Sequence, residues 1–99
     1  MSEFRILVAE AEVRTIDGMY RLIDELQASG PAATSLLLSA LNDNFMPVRI
    51  HAARALGRLG YERSDVMATL LGILHDPNPE LVAAASRAIA NIRVYKYVV

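Results

Sequence analysis

Cysteine is absent from the chain, which excludes disulfide staples, thiolate zinc sites and a cysteine nucleophile. Tryptophan is missing too, and aromatics make up only 6% of the residues. A core must then be assembled from Leu, Ile, Val, Ala and Met, side chains small enough for close helix-on-helix packing. Charge of one sign is also lacking: ten Lys and Arg oppose eleven Asp and Glu, so no bulk field draws the chain to a polyanion. Nucleic acid is thereby disfavoured as a partner. No apolar run reaches the roughly eighteen residues of a membrane-spanning helix. The stretch Ile6-Leu7-Val8-Ala9 is short and flanked by Glu3, Arg5, Glu10 and Glu12, unlike the apolar region of a secretory signal. These absences fit a reducing, aqueous compartment, with the cytoplasm the simplest address and no membrane partner.

Motifs for chemistry are scarce as well. The histidines, His51 and His75, form no His-x-x-x-His pair that would hold a metal from one helix face. Glycines 18, 30, 57, 60 and 72 are scattered rather than gathered into a phosphate-cradling loop. Ser39, His75 and Asp76 supply the letters of a triad, but nothing gives Ser39 a strained elbow or an oxyanion hole. The carboxylates of Asp17, Asp24 and Glu25 fall on a solvated helix face, which gives no reason to assign them a catalytic role. The expectation is a protein with no catalytic, cofactor or metal site, and not an enzyme.

What is present is a repeat. Leu37-Leu38-Ser39-Ala40-Leu41-Asn42-Asp43 lies over Leu70-Leu71-Gly72-Ile73-Leu74-His75-Asp76 at an offset of 33 residues. The same offset carries Val48 to Leu81, Ala52 to Ala85, Arg54 to Arg87, Ala55 to Ala88, Leu56 to Ile89 and Leu59 to Ile92. Stepping backwards puts a diverged first copy on Phe4, Leu7 and Val8, then Met19, Leu22, Ile23 and Leu26, all apolar. Within each copy the apolar positions recur every three or four residues, so at about 100° per residue they share one helix face. The pattern predicts six helices, near 2–11, 14–28, 31–42, 47–60, 65–75 and 79–93. Gly30, Pro31, Pro47, Ser64-Asp65 and Pro79 punctuate those boundaries. Residues 1–99 then form one all-α domain, a short α-solenoid of three helix pairs (repeats 2–28, 31–60 and 64–93) with a tail at 94–99.

The segment Val48-Arg49-Ile50-His51-Ala52-Ala53-Arg54-Ala55-Leu56-Gly57-Arg58-Leu59-Gly60, preceded by Asp43, resembles the second helix of a HEAT-like repeat of the phycobilin lyase type. The resemblance is specific over residues 34–93. It implies that Asp43 and Arg49 belong to a hydrogen-bonded ladder between copies, with Arg49 lying between Asp43 and Asp76. Val82 stands where a third ladder arginine would be, so the ladder should end there. Iron-binding relatives use His-Glu dipeptides, whereas here Ala52 follows His51 and Asp76 follows His75. The resemblance implies a protein-binding scaffold or adaptor, with a bilin lyase-like accessory or catalytic subunit as the alternative, and DNA-backbone binding a third reading that the net charge weighs against.

Arg21, Arg54 and Arg87 are each 33 residues apart and point away from the core positions of their helices. In a stack whose second helices line the concave surface they form a column, widened by Arg58, with Asp17, Asp24 and Glu25 making one end acidic. Such a surface favours an acidic or phosphorylated segment of another protein. The same arginines would also simply keep an alanine-rich helix soluble. The last helix reads as apolar on most sides, which invites cover by the tail, by further repeats or by a second copy in a homodimer, and the alternating Val94-Tyr95-Lys96-Tyr97-Val98 could pair as a strand.

Overall fold

The computed structural model describes the backbone of residues 2–98 and the side chains of residues 2–94. It contains six α-helices: α1 (Glu3–Glu10), α2 (Ile16–Ala28), α3 (Thr34–Leu41), α4 (Met46–Leu59), α5 (Ser64–Ile73) and α6 (Pro79–Val98). No strand occurs among the described residues, and the helices form the short all-α solenoid that the 33-residue period implies.

Local chemistry sets the helix ends. The Ser2 hydroxyl accepts the Arg5 N–H, Thr15 accepts the Gly18 N–H and Asn78 accepts the Leu81 N–H, each satisfying an amide that the first turn leaves without an internal partner. Gly60 ends α4 in the left-handed conformation at φ 70°. The end of α1 is less usual. The Val13 N–H bonds the Val8 carbonyl and the Glu12 N–H the Ala9 carbonyl, a Schellman motif in which Glu12, not glycine, takes the left-handed position at φ 56°. The predicted helix at 31–42 begins as a tight 3-10 turn over Gly30–Ala33, because left-handed Gly30 (φ 79°) and Pro31 redirect the chain before α3. The Thr34 hydroxyl closes that turn by donating to the Pro31 carbonyl at 2.7 Å.

The first helices α1, α3 and α5 form one layer and the second helices α2, α4 and α6 the other, with α4 packed against α2, α3 and α6. One continuous core runs between them, including Phe4, Ile23, Leu37, Leu41, Val48, Leu56, Leu70, Leu81, Ile89 and Ile92. Met19, Leu7, Leu38 and Leu59 pack against it half-buried. Leu71 and Leu74 depart from expectation. Their middle-copy equivalents are half-buried Leu38 and fully buried Leu41, yet Leu71 is 42% and Leu74 37% exposed. Helix α3 packs against α1, α2 and α4, whereas α5 packs mainly on α6, so the same sequence position has fewer helices to cover it.

The α4–α6 crossing is the tightest in the molecule. A Cβ placed on Gly57 would lie 2.7 Å from the Ala88 Cα and 2.9 Å from its Cβ, closer than carbon atoms tolerate. The expectation of a last helix apolar all round is corrected by its one-sided burial: Leu81, Ala84, Ala85, Ala88, Ile89 and Ile92 face the core. Ser86, Arg87, Asn91 and Arg93 are exposed beside small Ala83 and Ala90. Nor does the tail form a strand; helical hydrogen bonding continues to Val98, since each added residue closes one more internal bond without needing a second chain. The side chains of residues 95–98, and Val99 altogether, lie outside the described residues.

Candidate partner-binding face

Arg54 and Arg58 are one turn apart on α4, and Arg87 occupies the position on α6 equivalent to Arg54. All three are exposed, and they converge on one groove of about 210 Å³ floored by Ala84 and Ala88, with Asn91 at its edge. The small floor residues that let α4 and α6 approach also leave room above them for the arginine stems. Among the described residues the ion pairs are Arg5–Asp43, Arg49–Asp76, Arg63–Asp65 and His51 with Asp24, so the three groove arginines have no carboxylate partner.

The groove continues at both ends. Arg54 also lines a hollow of about 460 Å³ with Tyr20, Ile50, His51, Asn78 and Glu80. Arg58 and Asn91 also line one of about 520 Å³ with Gln27, Gly57 and Val94. The charged surface therefore follows the α4–α6 seam along α4 rather than crossing the three repeats as a column. Arg21, exposed on α2, lines none of these three hollows. The acidic end also differs in detail. Glu80 lines the groove, whereas Asp17 and Glu25 are exposed on α2 and do not.

Asp24 is engaged by His51. The imidazole Nε2 lies 2.8 Å from Asp24 Oδ1, and the ring stacks on Tyr20 with centroids 4.5 Å apart. This cluster was not legible in the sequence because it joins Tyr20 and Asp24, one turn apart on α2, to a residue 27 positions further on. Ser39 is likewise occupied structurally: its hydroxyl accepts the Phe4 N–H at 2.9 Å and ties α1 to α3, while His75 is exposed. No group of three or more His, Cys, Asp or Glu among the described residues is placed to hold a metal ion, and no described helix is long and apolar enough to cross a membrane.

The ladder residues take a different arrangement from the expected one. Arg49 does not sit between two aspartates: its Nε donates to the Leu41 carbonyl at 3.0 Å and its terminal nitrogen lies 3.6 Å from Asp76. Asp43 is instead gripped by Arg5, whose Nε and terminal nitrogen donate to its two oxygens at 2.7 and 2.6 Å. Arg5 was missed because it lies on the first helix of its repeat, and the position equivalent to Arg49 in that repeat is Ile16. Each loop aspartate thus takes a guanidinium from the repeat before it. The two loops are otherwise alike, with Asp43 accepting the Phe45 N–H and Asp76 the Asn78 N–H. The Arg5 hydrogen bonds hold the Asp43 carboxyl below the usual carboxylate range against the opposing effect of burial, and the Phe45 N–H adds to the lowering.

Comparison with curated proteins and with solved structures gives no match. The family model for HEAT repeats matches residues 34–96, the span of α3 to α6 that includes the groove arginines and the Arg49–Asp76 pair. That match covers more than half of the sequence, and with two layers of paired helices at a 33-residue period it establishes that the chain belongs to the HEAT repeat family.

Proposed function

We propose that the protein is an interaction scaffold that holds an acidic or phosphorylated segment of another protein along the α4–α6 seam. The supporting observation is the convergence of Arg54, Arg58 and Arg87, without carboxylate partners among the described residues, on one alanine-floored groove. A planar guanidinium presents a rigid fork of donors that suits carboxylate and phosphate oxygens, and three of them around a small groove add geometric selection to simple attraction. Glu80 at one end favours a basic residue flanking the acidic stretch. No described feature favours a bilin lyase-type subunit over this reading.

The test is affinity capture with mass spectrometry, run with the wild type, an Arg54→Ala/Arg58→Ala/Arg87→Ala variant and an Arg21→Ala control. Each groove arginine is a hot-spot type worth about 1 kcal/mol or more, so the triple variant should bind its partner roughly a hundredfold more weakly with unchanged helicity. Arg21→Ala should bind as the wild type does. Full capture by the triple variant removes the seam as the binding site.

A further inference from the structure

The two junctions between consecutive repeats have equivalent loops, each bridged by a guanidinium, but the bridging arginines start from different helices. At the second junction Arg49 spans the gap, held by the Leu41 carbonyl and Asp76, and the remaining cleft is about 370 Å³. At the first junction Arg5 on α1 reaches the loop aspartate instead, the position of Arg49 is taken by Ile16, and the cleft beside it is about 790 Å³. The cleft is open to solvent and wide enough to take a few side chains of a peptide.

The first cleft carries more large apolar side chains than the second, beside its own charged Arg5, Arg14 and Asp43. Ile16 is 46% exposed, an unusual cost for a β-branched side chain at the start of a helix, and half-buried Met19 and Phe45 stand beside it. The only carboxylate in the lining, Asp43, has its charge cancelled by the two hydrogen bonds from Arg5. Arg14 at the rim is exposed with no ion-pair partner among the described residues, so it leaves the cleft with one uncompensated positive charge.

The geometry points to a second binding site in this cleft, for a peptide segment of a partner that places a large apolar side chain next to a carboxylate. The apolar group covers Ile16, Met19 and Phe45, and the carboxylate meets Arg14. Exposed Asn44 supplies polar contacts for the peptide backbone. The site is separate from the α4–α6 seam, shares no lining residue with its arginine groove, and stands whether or not that groove binds an acidic segment.

The experiment is a titration of the isotope-labelled full chain, followed by NMR, with the blocked tripeptide acetyl-Phe-Leu-Asp-amide. Two control peptides replace Asp by Asn or Phe-Leu by Ala-Ala. Shifts should centre on Ile16, Met19, Phe45 and Arg14. The Asn peptide should bind about fivefold more weakly, as expected for losing one exposed ion pair. The Ala-Ala peptide should bind at least about tenfold more weakly through lost apolar contact. Ile16→Arg, which replaces the exposed apolar wall by a charged side chain, should abolish the shifts with the melting temperature retained. Arg14→Gln should erase the preference for Asp over Asn while leaving binding of the Asn peptide unchanged. Shifts scattered over other faces, equal binding of all three peptides, or binding that survives Ile16→Arg each overturn the assignment. So do cleft resonances that move with protein concentration alone, which would identify a second copy as the occupant.

Discussion

The same substitution should have opposite effects at two helical glycines. In a helix interior, Gly→Ala gains about 1 kcal/mol from reduced backbone freedom in the unfolded chain. At Gly72, on α5, an added Cβ meets nothing within 4 Å, so Gly72→Ala should keep most of that gain, less some because the site lies in the last turn. At Gly57, on α4, the new Cβ falls 2.7 Å from the Ala88 Cα, about 1 Å inside normal carbon contact. The obstacle is backbone, so it cannot rotate aside; α4 and α6 must separate along a seam that buries Ala53, Ala84 and Ala85 as well. Overpacking of this kind costs about 1–3 kcal/mol, and since rigid backbone meets rigid backbone the upper part of that range applies. The net loss at Gly57 should be about 1–2 kcal/mol. For a chain of this size those values correspond to a melting temperature lower by roughly 5–10 °C for Gly57→Ala and higher by roughly 2–5 °C for Gly72→Ala. Urea unfolding followed by circular dichroism measures both on a common baseline, with the denaturant slope checked for constancy. A Gly57→Ala protein at least as stable as the wild type would refute the close approach of α4 to α6 on which the groove geometry depends.

Two further substitutions probe the anchoring and the end of α1. Asp43→Asn removes the charge from a buried bidentate pair and should cost about 2 kcal/mol at neutral pH, the usual range for hydrogen bonds to charged groups. Because Arg5 lowers the folded-state pKa of Asp43, that stabilisation is fully present above the ordinary aspartate range near about 4 and is lost as pH falls through the lowered value. The gap between wild-type and variant stability should therefore narrow as the pH falls below about 4, and a gap that stays constant through the acid range contradicts the assignment. Glu12→Gly relieves a non-glycine residue of the left-handed conformation at the end of α1 and should stabilise by about 1 kcal/mol, read as a shift in denaturation midpoint at constant slope. An unchanged or lower midpoint would mean that the Glu12 side chain makes compensating contacts in the folded state.

Helix positions, the 33-residue period and most buried residues were legible in the sequence. Each follows from local rules: apolar spacing that places Val48, Ala52, Ala55 and Leu56 on one face, and end signals at Gly30, Pro31, Pro47 and Pro79 acting within a few residues of themselves. The same rules cannot say what lies across from a residue. Leu41 and Leu74 share a repeat position, yet one is buried and the other exposed, because burial at the end of a stack depends on a neighbour that periodicity does not count.

The polar details belonged wholly to the tertiary structure. Whether Asp43 meets Arg49 or Arg5 depends on where α1 crosses α3, and the anchoring of Phe4 to Ser39 brings Arg5 within reach. Arg21, Arg54 and Arg87 are equivalent in sequence, but it is Arg54 and Arg87 that line one groove, where α4 and α6 approach closely over Ala84 and Ala88. Secondary structure and core composition rest on short-range hydrogen bonding and on burial summed over many side chains, so the chain carries them in its own order. Side-chain pairing changes with helix displacements of about an ångström, and those displacements exist only once all the helices have packed.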